Sequence, residues 1–119
     1  MLYTSVNTDY NNDMQNWTDI EHQIRCLAET GFTHTSWMHN WNGEYIYSSS
    51  EMFYVRDLLR HYGLKSHTIH ATEGGFCKDY KSSNGYIREA GVDLLKNRID
   101  LCTHIGADTM VLHMAIPFR

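Results

Sequence analysis

A segment that ends in a histidine occurs three times along this chain of 119 residues. In each copy an amphipathic run ends at a glycine, and a short stretch of extended character leads from that glycine to a histidine. The glycines are Gly31, Gly63 and Gly106, and the histidines are His39, His70 and His113. Internal repetition of this kind predicts that one supersecondary unit is built several times.

The runs before the glycines have apolar residues at helical spacing, which predicts three amphipathic helices. The apolar positions are Ile20, Ile24, Leu27 and Ala28, then Met52, Val55, Leu59 and Tyr62, then Ile87, Ala90, Leu94, Leu95, Cys102 and Ile105. Thr18 with Glu21, and Ser48 with Glu51, have the spacing of a capping box and predict two helix starts. The three glycines suit the left-handed position that ends a helix. The run 96–98 in the third helix predicts a solvated face or a packing feature.

The stretches after the glycines predict short buried strands. Lys65–His70 and the segment 109–113 are rich in Ile, Val, Thr, Met and Leu, and the segment 2–7 reads as an opening strand. Strands that alternate with helices are typical of parallel sheets joined by right-handed crossovers. The pattern therefore predicts the α/β class, with about four parallel strands and three helices. It does not separate a barrel from a doubly wound sheet.

Charge and composition narrow the partners and the compartment. The formal net charge is −4 and the ten Lys and Arg residues are scattered, so a nucleic-acid surface is not expected. No apolar run has the length of a membrane span, and the start has no pattern of a secretory signal. Three cysteines without a Cys-x-x-Cys pair favour a reducing cytoplasm. With one proline and no linker, residues 1–119 are expected to form a single unit.

The loops after the strands carry a family resemblance. It lies in residues 31–41, 45–48 and 50–51, in 62–65 with 69–74, in 90–92 with 96–100, and in 106–113. These segments resemble the sugar phosphate isomerase/epimerase family, whose fold is the xylose-isomerase-like TIM barrel. The resemblance implies a partial (β/α)8 TIM barrel that corresponds to the N-terminal half, with strands one to four and three helices. In the family the metal ligands come largely from later strands, so the isolated chain is expected to be incomplete.

The resemblance also places a candidate site, since such barrels act at the carboxyl ends of their strands. The expected catalytic residues are His70 and His113, which are also weak candidates for metal ligands, the other ligands being unknown. In the apurinic endonuclease branch of the superfamily, histidines at these two strand ends bind zinc. The expected substrate-binding residues are Trp41, His39, Glu73 and Asn7. For His39 an ordinary half-buried histidine is the alternative.

Other residues of the same loops have two readings. Trp37, Trp41, Tyr45 and Tyr47 could stack on a sugar ring or could pack over the end of the barrel. Glu44 and Asp79 could act as acid, base or metal ligand, but surface loops are commonly acidic for solubility, and that reading is preferred.

The resemblance implies an isomerase or epimerase that acts on a sugar or polyol with a divalent metal ion, Mn, Mg, Co or Zn. One alternative is a non-catalytic half-barrel remnant or carbohydrate-binding module. Another is a metal-dependent apurinic endonuclease relative, which the acidic charge disfavours. A half barrel would expose the inner face of its strands, and Ile69, Met110, Leu112 and their neighbours would need cover whichever of them face inward. A homodimer or higher self-association is therefore also expected.

Overall fold

Four parallel strands and three helices alternate along the chain in a computed structural model that describes residues 5–8, 17–38, 43–72 and 75–113. The elements are β1 (Ser5–Asn7), α1 (Trp17–Glu29), β2 (His34–Trp37), α2 (Ser49–His61), β3 (Lys65–His70), α3 (Gly85–Ile105) and β4 (Thr109–Val111). The strands pair in the order β1-β2-β3-β4, all parallel. The α/β prediction is confirmed, and β3 has the predicted bounds. Residues 2–4 of the predicted opening strand lie outside the described residues.

One hydrophobic core lies between the sheet and the helices. Because the strand order never reverses, right-handed crossovers place the helices on one face of the sheet. All three helices contribute buried side chains to it: Ile20, Ile24 and Leu27 from α1, Met52, Val55, Leu58 and Leu59 from α2, and Leu101 and Ile105 from α3. Trp37 and Ile69 enter this core from the strands. None of the three described helices has both the length and the apolar character needed to cross a membrane.

The helix ends follow the predicted local chemistry with one exception. Ser48 Oγ accepts from the Glu51 backbone N at 3.3 Å, and Glu51 Oε2 accepts from the Ser48 backbone N at 2.7 Å, so this capping box is confirmed. The three repeat glycines have positive φ angles of 87°, 71° and 74° in chain order, as the C-terminal ends require. Thr18 was predicted to cap α1, but the helix begins at Trp17 and already contains it.

The open face of the sheet is the face turned away from the helices. Ile69 is fully buried in the core, and Met110 packs against that core, so neither is exposed on the open face. Ser36 and Thr68 lie on the open face, since their neighbours Thr35 and Ile69 are buried, and their hydroxyls share a hydrogen bond of 2.5 Å. Ile69 and Met110 therefore face the core, while their neighbour Val111 has 42% of its surface exposed, and the homodimer expected from uncovered apolar strand residues stays a prediction.

Candidate functional site

His70 and His113 meet at the carboxyl end of the sheet. His70 is the last residue of β3, and His113 follows the last residue of β4 by two positions. Their Nε2 atoms are 2.8 Å apart, and their ring centroids are 4.8 Å apart with the planes inclined at 54°. Parallel pairing of β3 with β4, which sets His70 beside Val111, brings the two rings together. The structure thus unites the two residues that the sequence predicted as catalytic.

A hydrogen bond between two Nε2 atoms constrains the protons of this pair. A neutral imidazole has one N–H donor and one acceptor nitrogen, so one ring donates its Nε2–H and the other accepts with a bare Nε2. The two rings are therefore different tautomers when both are neutral. Such a pair can store and return a proton at one place, which is what general acid–base chemistry requires.

Tyr80 joins this site and was not singled out from the sequence. Its hydroxyl donates to the backbone carbonyl oxygen of His113. The loop that carries Tyr80 lies directly on α3 at Gly91, where an added Cβ would be 2.1 Å from the Tyr80 backbone N and 2.4 Å from the Asp79 carbonyl carbon. A glycine in the middle of a helix costs about 1 kcal/mol relative to alanine, so Gly91 was the available signal of a close approach.

The other predicted substrate residues are not joined to this pair within the described residues. Asn7 ends β1, is exposed, and its Nδ2 lies 3.8 Å from Met38 Sδ. Three strand spacings, about 14 Å, separate β1 from β4, so Asn7 is at the far side of the sheet from His113. His39, Trp41 and Glu73 lie outside the described residues, and their roles stay predictions.

The described aromatic residues of the loop after β2 pack into the protein. Trp37 and Tyr47 are buried, and Trp37 Nε1 donates to the Tyr47 hydroxyl at 3.4 Å. Burial raises the pKa of Tyr47 to about 12, because the phenolate would lose its hydration there. The Tyr45 hydroxyl donates to Glu51 of α2. Of the two readings, packing therefore holds for these three aromatics.

Arg98 is the main residue that sequence reasoning missed. It was predicted on a solvated face or in a packing feature, and it is buried with only 5% of its surface exposed. Its Nε donates to the Ala71 carbonyl at 3.0 Å, its Nη2 donates to the Tyr45 carbonyl at 2.6 Å, and its guanidinium lies 4.8 Å above the Tyr47 ring. Burial lowers the pKa of Arg98, since the cation is desolvated. Ala71 directly follows His70, so Arg98 fixes the backbone beside the histidine pair.

Asn97 completes this attachment of α3 to the loop after β2. Its Oδ1 accepts from the Tyr47 backbone N at 2.9 Å, and its Nδ2 donates to the Tyr47 carbonyl at 2.8 Å. Arg98 Nη1 donates to the same Oδ1 at 3.0 Å, which holds the amide in place. In the run 96–98 the solvated face is therefore limited to Lys96. Arg98 lies four positions after Leu94, and this place on an apolar helical stripe was the signal that could have revealed its burial.

Glu44 connects the loop after β2 with the loop after β3. Its Oε1 accepts from the backbone N of Cys77 at 2.6 Å and of Lys78 at 3.1 Å. Lys78 Nζ in turn donates to the Glu44 carbonyl at 2.8 Å. Asp79 accepts from the Lys81 backbone N at 2.9 Å. The contacts of both carboxylates organise the loops, a role that neither of the two sequence readings named.

The described residues supply part of a metal site. The two Nε2 atoms of the histidine pair are close enough to face one cation, which could replace the hydrogen bond between them. Catalytic zinc sites use three protein ligands, and no cluster of three or more His, Cys, Asp or Glu side chains suited to a metal occurs within the described ranges. A complete site therefore needs ligands from beyond those ranges.

Comparison with known proteins finds a sequence relative and a structural neighbour, while no family model matches the chain. An uncharacterized protein of Sinorhizobium fredii, y4fM, is 32% identical over 121 aligned positions, which cover 86% of this chain and 39% of that protein. The crystal structure of D-psicose 3-epimerase in the presence of D-fructose matches with a TM-score of 0.68 and 17% identity. That match covers 92% of this chain and 36% of the epimerase chain.

The chain has the fold of part of a TIM barrel. The structural likeness shows the fold alone, because the sequence identity is 17%. The chain spans about two fifths of the length of y4fM. A match to part of that protein assigns no activity of the whole protein to this chain. In TIM-barrel enzymes the active site lies at the carboxyl ends of the strands, which is where His70 and His113 meet in this partial barrel.

Proposed function

We propose that this chain forms part of a barrel that isomerises or epimerises a sugar or polyol at the carboxyl ends of its strands. The observation that carries the proposal is the contact of 2.8 Å between the Nε2 atoms of His70 and His113. Epimerisation next to a carbonyl removes a proton from carbon and returns one to it, and a paired base and acid serve both steps. The likeness in fold to a protein named as a D-psicose 3-epimerase supports this class of substrate.

The residues at and around the candidate site each have a defined part in this proposal. The ring that donates its Nε2–H has a bare Nδ1, which takes the proton from carbon, and the second ring keeps accepting the hydrogen bond from the Nε2–H of the resulting imidazolium. Arg98, through the Ala71 carbonyl, and Tyr80, through the His113 carbonyl, hold the two backbones that carry the rings. The hydroxyls of Ser36 and Thr68 on the open face are of the kind that exchange hydrogen bonds with a sugar.

A divalent cation belongs to the proposal as a cofactor. His70 and His113 would supply two of its ligands, and Glu73, outside the described residues, is the predicted residue nearest to His70 in sequence. When bound, the cation would polarise the substrate carbonyl and stabilise the negative charge that develops on its oxygen. If the cation binds both Nε2 atoms, the histidines act as its ligands and another group would have to take the proton. The experiment below distinguishes these two roles of the histidines.

The test is proton exchange between substrate and solvent. The whole chain is incubated with D-fructose in D2O, with and without Mn²⁺, Mg²⁺, Co²⁺ or Zn²⁺, and deuterium next to the carbonyl is measured by mass spectrometry and NMR. We expect His70→Gln and His113→Gln to lose about 10² to 10⁴ of the exchange rate, as for other general acid–base groups. His61→Gln is the matched control, since His61 is exposed and lies at the end of α2, at the opposite end of the sheet from the histidine pair.

The outcomes separate the proposed class from the alternatives. Exchange without added metal, lost in both histidine variants, supports the histidine pair as the acid–base group. Exchange that needs metal, with metal binding weakened in both variants, assigns them as ligands. D-fructose binding without exchange under any condition would favour the non-catalytic sugar-binding alternative. Equal exchange in wild type and both variants would refute a role for the pair.

A further inference from the structure

The end of β3 separates from β2 before it reaches the candidate site. The last pair of residues between these two strands is Trp37 with Ile69, whereas pairing with β4 continues to His70 and Val111. The Ala71 backbone N extends the pairing with β4, since it donates to the Val111 carbonyl at 3.0 Å. In the described sheet, His70 therefore lies on a strand end that has a neighbouring strand on one side only.

The loop after β2 supplies contacts in place of the missing strand. Its residues 43–45, here called the strap, accept hydrogen bonds with three successive backbone carbonyls, those of Gly43, Glu44 and Tyr45. The donors belong to the end of β3, the loop after β3 and α3, and in this order they are Thr72 Oγ1 at 3.1 Å, Lys78 Nζ at 2.8 Å and Arg98 Nη2 at 2.6 Å. The strap therefore joins the end of β3 to the helix beside it.

Thr72 is the contact that brings the strap to the candidate site. It lies two positions after His70 and has only 4% of its surface exposed. A buried hydroxyl needs a partner wherever it lies, but the bond of this one to Gly43 is with the loop that continues from β2. Between Thr72 and His70, the carbonyl of buried Ala71 accepts from Arg98. The backbone just beyond His70 is thus held by β4, by α3 and by the strap.

The side chain of Glu44 holds the chain a few residues further on. Its Oε1 accepts from the backbone N of Cys77 at 2.6 Å and of Lys78 at 3.1 Å. An added Cβ at Gly75 would lie 2.2 Å from the same Oε1, so the carboxylate occupies the space that a side chain at position 75 would need. Adjacent residues of the strap therefore fix the chain at Thr72 and again at Cys77.

We propose that the strap positions His70 against His113, with Thr72 and Glu44 as its positioning residues. The two Nε2 atoms are 2.8 Å apart, and such a hydrogen bond weakens steeply when its distance or angle changes. A displacement of about 1 Å in a catalytic group can cost about 10²-fold in rate. The expected effect on rate rests on the proposed function, whereas the effect on the geometry of the two rings stands without it.

The experiment replaces Thr72 by valine, which keeps the shape of the side chain and removes the hydroxyl that donates to Gly43. Nitrogen NMR of the whole chain reports the hydrogen bond between the rings, and we expect the Nε2 resonances of His70 and His113 to shift. Thr72→Ser keeps the donor and should restore the wild-type resonances. Thr103→Val is the matched control, since the Thr103 hydroxyl is exposed and donates to a carbonyl within α3. In the deuterium assay, Thr72→Val should lower kcat about tenfold or more and leave KM for D-fructose unchanged.

Glu44→Gln is a second, independent variant. Its amide oxygen accepts more weakly than a carboxylate, so the same ring resonances should shift to a smaller extent, while the exposed control Glu89→Gln should leave them in place. The proposal is overturned if Thr72→Val leaves the ring resonances unchanged, or if Thr72→Ser shifts them as much as Thr72→Val does. If Thr72→Val does not fold, unchanged resonances in Glu44→Gln overturn it. Without deuterium exchange in the wild type the proposed function fails, and the ring resonances alone then decide on the strap.

Discussion

Replacement of Arg98 by methionine tests how the site is held in place. Methionine keeps an apolar side chain inside the protein and removes the donors to the carbonyl oxygens of Ala71 and Tyr45. Both carbonyls then lose a charged partner, and an unsatisfied buried acceptor costs about 1–3 kcal/mol. The loss is about 2–6 kcal/mol before compensation. Relief of the burial cost of the cation removes part of it, which leaves about 2–3 kcal/mol.

The free energy of unfolding is measured by urea denaturation followed by circular dichroism. For a chain of 119 residues we expect the Tm of Arg98→Met to fall by about 10 °C. Arg98→Lys keeps the charge but lacks the planar fork that reaches two carbonyls, so it should lose nearly as much. Lys96→Met is the matched control on the same helix, and it removes only an exposed pair with Asp93, worth about 0.5 kcal/mol or less.

A second measurement separates positioning of the site from general stability. Because Ala71 follows His70, the ring resonances of His70 and His113 should shift in Arg98→Met, while that of His61 at the other end of α2 should not. The reasoning is refuted if Arg98→Met unfolds within about 0.5 kcal/mol of the wild type. It is also refuted if stability falls while the histidine resonances stay unchanged, since Arg98 would then not act on the site.

Two further changes test burial and close packing. Burial raises the pKa of Tyr47 from about 10 in the unfolded chain to about 12, so the unfolded chain loses its proton first and stability should fall as the pH rises from about 10 to 12. This part of the fall in the urea midpoint should be absent in Tyr47→Phe, and an unchanged pH profile would contradict it. Gly91→Ala, whose Cβ meets the Tyr80 backbone at 2.1 Å, should lose about 1–3 kcal/mol. Gly85→Ala, with its nearest atom at 3.9 Å, should be neutral or slightly stabilising by thermal denaturation, and equal losses in the two variants would argue against the close approach.

Local signals in the sequence predicted the elements well. The repeated glycines end their helices in the left-handed conformation because no Cβ opposes it, and the Ser48 and Glu51 pair caps α2 as its spacing predicted. These features depend on residues a few positions apart. Arg98 and Asn97 depend on partners about fifty positions away, such as Tyr45 and Tyr47, which no local pattern in a single sequence reveals.

The meeting of His70 and His113 depends on one irregularity that alternation does not predict. Thr35 pairs with Ser66, but the next residue of β2, Ser36, pairs with Thr68, so β3 contains one extra residue at His67. Regular alternation from buried Ser66 would turn His70 toward the helices, because the two residues are an even number apart. The extra residue reverses the phase, which buries Ile69 instead and turns His70 to the open face beside His113. The extra residue therefore lets Ser66 face the helices at the start of the strand while His70 faces the candidate site at its end.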